Sequence, residues 1–199
     1  MIKDEQIAWN RKRKFLPAYT MLGMLADASQ GAGTPTLGAE PVAASELVGL
    51  QIAAAGDEVY TFWPLSWDFD RFQPVRFRLW FTHSSTDEDT PDWIVSYKAI
   101  AKQAAMTDAK SSSDEDVAFA ATAVSATANS LEALNWEESA SDLKIESTDK
   151  ALLIAVECNG LGGASANEIT FYGLEIEYTV GACKDSNFRD ITRDAPANS

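Results

Sequence analysis

Cysteine and histidine are scarce in this chain of 199 residues, which contains two cysteines and one histidine. A zinc site needs several such side chains at ligand spacing, and a disulfide framework needs several cysteine pairs. Cys158, Cys183 and His83 provide neither. We expect Cys158, just after the apolar run Ala151–Val156, to be a buried free thiol, and His83 to lie on the surface at a strand end.

Sequence signals of catalysis are also missing. The chain has neither a Gly-x-Ser-x-Gly nucleophile elbow nor a glycine-rich phosphate loop. Its paired carboxylates Glu175 and Glu177 fall on the outer face of one predicted strand, where they protect a sheet surface. The acidic runs 87–89 and 114–116 do not match an EF-hand loop, so we interpret them as solvated turns. We expect no enzymatic activity, no cofactor and no bound metal.

Long apolar runs are absent as well. The longest, Ala151–Val156, is far shorter than a membrane span, and the N-terminal region lacks the apolar core of a signal peptide. We therefore expect no membrane partner and a chain made in the cytoplasm. The formal net charge is −14, so carboxylates would repel a phosphate backbone. The body is not expected to bind nucleic acid.

Basic charge is concentrated near the N-terminus, although the chain as a whole is acidic. Residues 1–20 carry five basic and two acidic side chains. Four of the basic residues are consecutive: Arg11, Lys12, Arg13 and Lys14. This run is either a solvated charge cluster or a contact for an acidic protein surface, with nucleic acid as a further alternative.

Composition divides the chain into three parts. Residues 1–45 lack a sustained hydrophobic period and contain a Gly/Pro/Ala stretch, which predicts an extended N-terminal arm. Residues 46–182 carry recurrent strand signals, and residues 183–199 form a polar tail. The arm also carries large apolar side chains that we expect to be buried against another protein: Trp9, Phe15, Tyr19, Met21 and Leu22.

Alternation of apolar and polar side chains predicts β-strands throughout residues 46–182. In Pro74–His83, the residues expected on the core face are Val75, Phe77, Leu79 and Phe81. In the last strand they are Tyr172, Leu174, Ile176, Tyr178 and Val180. Val117–Ala126 is either a strand or a helix. Irregular loop lengths favour crossing connections, so we predict an all-β fold, an antiparallel jelly-roll β-sandwich.

Aromatic side chains are concentrated in Trp63–Phe72, a predicted loop between strands. Three interpretations remain open. The rings plug one end of the sandwich, anchor a partner protein, or stack on sugar rings. We take Trp63 and Trp67 as the partner-binding candidates of this segment.

The order of these segments resembles that of β-sandwich structural proteins of tailed-phage virions, especially those of cyanobacterial and marine phages. The stretches that carry the resemblance are Trp67–Asp70, Pro74–Phe81, Trp93–Lys98 and Phe171–Thr179. Head decoration or cement proteins, which are often trimers on capsid symmetry axes, are the most similar type. The resemblance implies a homotrimer on the capsid surface of a virion, with the major capsid protein as its partner.

We therefore expect a capsid decoration protein that binds and stabilises the assembled shell. Its arm would lie along neighbouring subunits, with the run Arg11–Lys14 paired with shell carboxylates. A tail or adaptor protein of the virion is one alternative. A carbohydrate-binding β-sandwich module is another, whereas no small-molecule substrate is expected.

Overall fold

A computed structural model describes residues 11–23, 36–39, 48–84, 90–104, 113, 115–119, 124–139, 141–164 and 168–181. Within these ranges the chain forms β-strands and one short 3-10 helix, Ala18–Gly23. The strands are β1 (Arg11–Pro17), β2 (Thr36–Ala39), β3 (Val48–Ile52), β4 (Asp57–Pro64), β5 (Val75–His83), β6 (Asp92–Ala101), β7 (Glu115–Phe119), β8 (Ser130–Glu138), β9 (Asp149–Gly160) and β10 (Ile169–Thr179). No helix in the described ranges is long and apolar enough to cross a membrane.

The strands form two antiparallel sheets. The first runs β2-β3-β10-β5-β8, with β1 also paired to β10, and the second runs β4-β9-β6-β7. Between β3 and β10 the chain changes sheet at every connection except that from β6 to β7. The two orders β3-β10-β5-β8 and β4-β9-β6-β7 are those of a jelly roll. The predicted antiparallel jelly-roll sandwich is therefore confirmed, and β7 shows that the segment beginning at Val117 starts as a strand.

Aromatic rings fill the space between the sheets. Phe77 stacks on Trp136 with ring centroids 5.4 Å apart. Trp93 packs between Phe81, at 5.3 Å, and Phe171, at 5.9 Å. Each ring removes a large apolar area from water, so these contacts are a main source of stability. They arise from the alternation that the sequence shows in β5, where every second residue from Val75 to Phe81 is buried.

The central strand β9 is buried on both faces. Ala151 to Cys158 are all buried, and Leu153 and Ala155 form a small apolar cluster with Tyr60 and Ile100 apart from the main core. The expected burial of Cys158 is confirmed, and its thiol is free. A continuous apolar run in a central strand is what burial of both faces requires.

Strand β10 changes its alternation at Gly173. The register against β5 shifts between Phe171 and Gly173. Phe171 faces the core before the shift and Leu174 faces it afterwards, so Tyr172 lies on the outer face, with its hydroxyl 3.4 Å from that of Thr82. The prediction that Tyr172 faces the core is wrong because the bulge adds one residue to the strand.

His83 is buried, with 1% of its surface exposed, instead of lying on the surface as expected. Strand β5 extends through His83, which pairs with Ile169 of β10 on one side and Ser130 of β8 on the other. His83 continues the alternation of this strand, in which Phe77, Leu79 and Phe81 are buried, so its side chain faces the core. The prediction treated it as a strand end that faces solvent.

The segment Arg11–Gly23 belongs to the sandwich. Strand β1 pairs with β10 from Arg11 opposite Thr179 to Pro17 opposite Gly173. This placement corrects the prediction of a separate arm for residues 11–23. The short strand β3 pairs only with residues 169–171 of β10, so the rest of that edge is open to β1. Residues 1–10, 24–35, 40–47 and 182–199 lie outside the described residues.

Candidate functional site

The loop between β4 and β5, residues 65–74, carries two strongly exposed aromatic side chains. Trp67 is 65% exposed and Phe72 is 81% exposed, the highest values among the large apolar side chains that the structure describes. Rings of this size are enriched where proteins bind partners, because they provide a large contact area with few rotatable bonds. We call residues 65–74 the aromatic loop.

Polar contacts fix the aromatic loop to strands β1 and β10. Asp68 is buried, and its carboxylate accepts hydrogen bonds from Lys12 Nζ and Ser66 Oγ. The backbone N–H of Gly181 donates to the Asp68 carbonyl at 2.8 Å, and that of Asp70 donates to the Thr179 carbonyl at 3.0 Å. These bonds hold the loop backbone in one position.

The charge state of Asp68 follows from these contacts. Burial alone would raise the pKa of Asp68, but the hydrogen bonds from Lys12 and Ser66 outweigh it and hold the pKa below its ordinary value. Asp68 is therefore an anion at neutral pH. It links the basic strand β1 to the aromatic loop.

Apolar contacts complete the base of the loop. Phe69 packs edge-on against Trp63 with ring centroids 5.6 Å apart, and it lies 5.9 Å from the ring of Tyr178. Trp63 is only 1% exposed. For the aromatic segment Trp63–Phe72, the plug interpretation and the partner-anchor interpretation therefore apply to different residues. Trp63 and Phe69 plug the end of the sandwich, whereas Trp67 and Phe72 are exposed.

A cleft of about 250 Å³ lies beside Trp67, between the aromatic loop and the turn that leads into β9. Its apolar lining includes Leu65, Phe69 and Ile145. Its polar lining consists of Ser66, Arg71, Glu146, Ser147, Asp149 and Lys150. An aromatic wall beside groups of both charges can bind polar side chains of a protein or the hydroxyl groups of a sugar.

Ion pairs fix β1 to the outer face of the first sheet. Arg11 Nη1 lies 2.8 Å from Glu177 Oε1, and Arg13 Nε lies 2.6 Å from Glu177 Oε2. Burial alone would raise the pKa of Glu177, but the hydrogen bonds from the two arginines outweigh it and lower the pKa. Glu177 therefore holds two basic residues of β1 at once.

A second cleft, of about 360 Å³, lies on this outer face and is lined by Arg13, Arg76 and Arg78, among others. These arginines are paired with carboxylates. Arg76 Nε lies 2.5 Å from Glu137 Oε2, and Arg78 Nη1 lies 3.7 Å from Glu175 Oε2. The positive charge in this cleft is therefore balanced inside the molecule, and its evident role is to join strands.

Several residues predicted to bind a partner contact this molecule instead. Met21 is fully buried and Trp63 nearly so, and both belong to the main core. Arg11 and Arg13 pair with Glu177, and Lys12 pairs with Asp68. The sequence predicted that these three basic side chains pair with carboxylates of a shell protein. In the structure they pair with carboxylates of the same chain.

The other predicted residues remain exposed or lie outside the described part. Lys14, Phe15, Tyr19 and Trp67 are exposed. Trp9 lies outside the described residues, and of Leu22 only the backbone is described. Lys12 contacts Asp68, which directly follows Trp67, so β1 and the aromatic loop are neighbours. We define the docking face as Lys12, Trp67 and Phe72.

Phe72 was not singled out by the sequence as a binding residue, although it is the most exposed large apolar side chain described. The sequence offered no signal for Phe72 beyond its place in the aromatic segment. For Trp67 and Phe69 the order of residues is no guide either, because the acidic residue between them, Asp68, is buried while Trp67 is exposed. Composition alone does not reveal which ring points inwards.

No family model and no curated protein sequence matches the chain. Among solved structures it is similar to the exo-β-1,3-galactanase of Phanerochaete chrysosporium, at 12% identity and a TM-score of 0.47, over 84% of this chain and 29% of that one. Dimeric latent PorU of Porphyromonas gingivalis gives 9% identity and a TM-score of 0.42, over 86% and 13% of the two chains. The coat protein of tobacco streak virus gives 9% and 0.28, over 89% and 93%.

This chain thus spans less than a third of the galactanase and PorU chains. Likenesses of this degree carry no argument about function. The two sheets and their strand order define the chain as a jelly-roll β-sandwich, a fold used for structural and binding modules. Its function is therefore argued from its own residues.

Proposed function

We propose that this protein is a virion structural protein that decorates and stabilises an assembled phage shell, and that it binds the major capsid protein through the docking face. The observation that carries the proposal is the pair of exposed rings, Trp67 and Phe72, on a loop anchored by buried Asp68 and partly buried Phe69. The resemblance in segment order to phage decoration proteins supports the virion context.

A fixed loop favours binding for a physical reason. Association loses the freedom of every side chain and backbone segment that it orders. The hydrogen bonds of Asp68 and the packing of Phe69 already order the aromatic loop in the free protein. Less of the free energy gained by burying Trp67 and Phe72 is therefore spent on ordering the loop backbone.

The distribution of charge also supports attachment to a shell through the side of the molecule that carries the aromatic loop. The chain has a net charge of −14, which keeps a crowded particle surface soluble and opposes self-association. Lys12 and Lys14 lie on the same side of β1, because residues two apart share a face. Lys12 is paired with Asp68, so exposed Lys14 is the basic group of this face that would attract an acidic group of a shell protein.

Decoration stabilises a shell by mass action. A protein that binds only the correctly spaced subunits of an assembled shell lowers the free energy of that state by its own binding free energy. Many copies bound around a symmetry axis multiply this effect. A homotrimer on the capsid surface fits this role and remains part of the proposal.

The proposal is tested by measuring binding to purified undecorated shells. Truncating an anchor at the centre of an interface commonly costs about 2 kcal/mol or more, so Trp67→Ala and Phe72→Ala should each weaken binding by roughly 30-fold. Leu131→Ala is the matched control, because Leu131 on β8 is 61% exposed, close to the 65% of Trp67, but lies outside the docking face. Undiminished binding by both loop variants would refute the docking face.

Copy number separates the decoration role from that of a tail or adaptor protein. A number close to that of the major shell protein supports decoration. A handful of copies per particle supports attachment at the tail. Quantitative mass spectrometry of purified virions measures this ratio directly.

A carbohydrate-binding module is the second candidate, and the cleft beside Trp67 is the observation that favours it. An exposed indole face can stack on a sugar ring, while the polar groups of Arg71, Asp149 and Lys150 bind hydroxyls. Glycan-array screening of the wild type and Trp67→Ala tests this function. Saturable glycan binding that requires Trp67, together with no binding to shells, would replace the decoration proposal.

A further inference from the structure

Strand β10 has a longer edge than the jelly roll itself uses. It contains eleven residues, whereas its neighbour β3 contains five and pairs only with residues 169–171. The remaining edge, Gly173–Thr179, pairs with β1. The eight strands β3 to β10 complete the jelly-roll order without β1, so this edge is a slot that an added strand fills.

The slot is shaped for the segment that occupies it. Gly173 has a φ of +149°, and a Cβ atom at this position would lie 2.8 Å from the ring of Phe15 and collide with the carbonyl oxygen of Leu16. Glycine therefore permits the close approach of β1. Leu16, Ala18 and Met21 then close the edge of the core.

Charge provides part of the attachment of β1. Of its seven residues only Leu16 is buried. Arg11 and Arg13 are held by Glu177, and Lys12 is held by Asp68. Interactions between partly exposed charges weaken as salt screens them. An edge strand held in this way opens more readily than a central strand such as β9.

When β1 leaves the slot, apolar and charged groups of the sandwich lose their partners, so binding of an equivalent segment is favourable. Removal of Leu16 and Met21 leaves the core edge uncovered, and removal of Arg11 and Arg13 leaves Glu177 without two of its partners. A suitable occupant needs basic residues two apart, then an aromatic residue over Gly173 and an apolar residue opposite Leu174. The same segment of a second copy meets all of these requirements.

We propose that Arg11–Gly23 is an exchangeable donor segment, which fills the slot on β10 of a second copy of this chain. A reciprocal exchange recreates every contact of the closed molecule, so it requires no new interface to be favourable. Exchange would join neighbouring copies through their sheets. The inference does not depend on binding to a shell, and its test needs none.

The test traps the exchanged pair by a disulfide. Phe15 lies directly opposite Glu175 in the β1–β10 register, and opposite residues of an antiparallel pair have Cβ atoms about 5 Å apart, within reach of a disulfide after small adjustments. One chain carries Phe15→Cys and another carries Glu175→Cys, each with Cys183→Ala. Native Cys158 is buried. The two chains are mixed, incubated with added salt and then oxidised.

Exchange predicts a covalent dimer in which the cysteine introduced at position 15 of one chain is joined to that at position 175 of the other, identified by peptide mass spectrometry. Its yield should rise several-fold when salt is present during incubation. Mixing the Phe15→Cys chain with a Leu131→Cys chain is the matched control, since Leu131 lies on β8. A yield no higher than this control, at any protein concentration, overturns the proposal.

A second measurement applies if a cysteine variant does not fold, as judged by circular dichroism. Unlabelled and ¹⁵N-labelled wild-type chains are mixed and examined by native mass spectrometry. Dimers of mixed mass that increase with salt during incubation support exchange. A population that stays monomeric throughout overturns it, whatever the outcome of shell binding.

Discussion

Arg13 on β1 donates its Nε–H to the Glu177 carboxylate on β10 across 2.6 Å, and the two residues are direct partners in the strand register. The same cross-strand row continues through Arg76 on β5 to Glu137 on β8. Charge therefore alternates across four strands. This row attaches the N-terminal segment to the part of β10, residues 173–179, that β3 leaves unpaired.

The pKa of Glu177 leads to a prediction about acid stability. A carboxylate whose pKa is lower in the folded than in the unfolded protein contributes stability above its unfolded pKa, and this contribution is lost as the pH falls through the folded pKa. We expect the Tm to fall below about pH 4, near the ordinary range of Glu and Asp. The variant Glu177→Gln should lose less Tm over this interval than the wild type. Equal acid slopes, measured by thermal unfolding at a series of pH values, would contradict this.

Glu138 on β8 should respond to pH in the opposite direction. Burial raises the pKa of Glu138, and the negative charges of Asp142 and Glu115 raise it further. Ionisation of this group therefore opposes folding as the pH rises through the unfolded and then the folded pKa. Glu138→Gln should therefore be more stable than the wild type at pH 7, which is measured as a higher Tm.

The difference between Glu138→Gln and the wild type should vanish in acid, where both side chains are neutral. Glu137→Gln is the matched control, because Glu137 is the neighbouring residue but faces outwards and pairs with Arg76. This control should show no gain at pH 7. A Glu138→Gln variant that is less stable than the wild type at pH 7 would show that the carboxylate has a stabilising role.

The strands and the jelly roll were predictable because their signals are local. Alternation in β5 places Phe77 and Phe81 in the core whatever their partners are. The place of β1 was not predictable in this way, because four consecutive basic residues show no alternation. The relevant signal is non-local: Arg11 and Arg13 have the same spacing as Glu175 and Glu177, some 160 residues later.

The candidate site was predictable only in part. The concentration of rings in Trp63–Phe72 identified the region, and Trp67 is indeed exposed. The sequence could not divide the rings into buried and exposed ones, because this depends on contacts with Lys12 and Tyr178, which are distant in sequence. His83 was misplaced because β5 extends as far as this residue, and the alternation of the strand turns its side chain towards the core.

The buried thiol of Cys158 should be inert in the native protein. Burial raises the pKa of Cys158 to about 12, and the nearby carboxylate of Asp57 adds to the effect. Only the thiolate reacts with disulfide reagents, so almost none is present at neutral pH. In a Cys183→Ala chain we expect no reaction with Ellman's reagent until denaturant is added, and then one thiol per chain. Rapid reaction under native conditions would contradict the burial of β9.

Met21 provides the strongest test of whether the N-terminal segment is structural. Its side chain is fully buried in the core, whereas Tyr19, two residues before it, is 58% exposed. Truncating a buried Met to Ala commonly costs about 2–5 kcal/mol, because apolar contacts are lost and a cavity remains. Met21→Ala should therefore lower the free energy of unfolding in urea by this amount. Tyr19→Ala should change it by only about 0.5 kcal/mol or less. An independent arm would make both changes small, so equal and minor effects would show that residues 11–23 do not form part of the sandwich in solution.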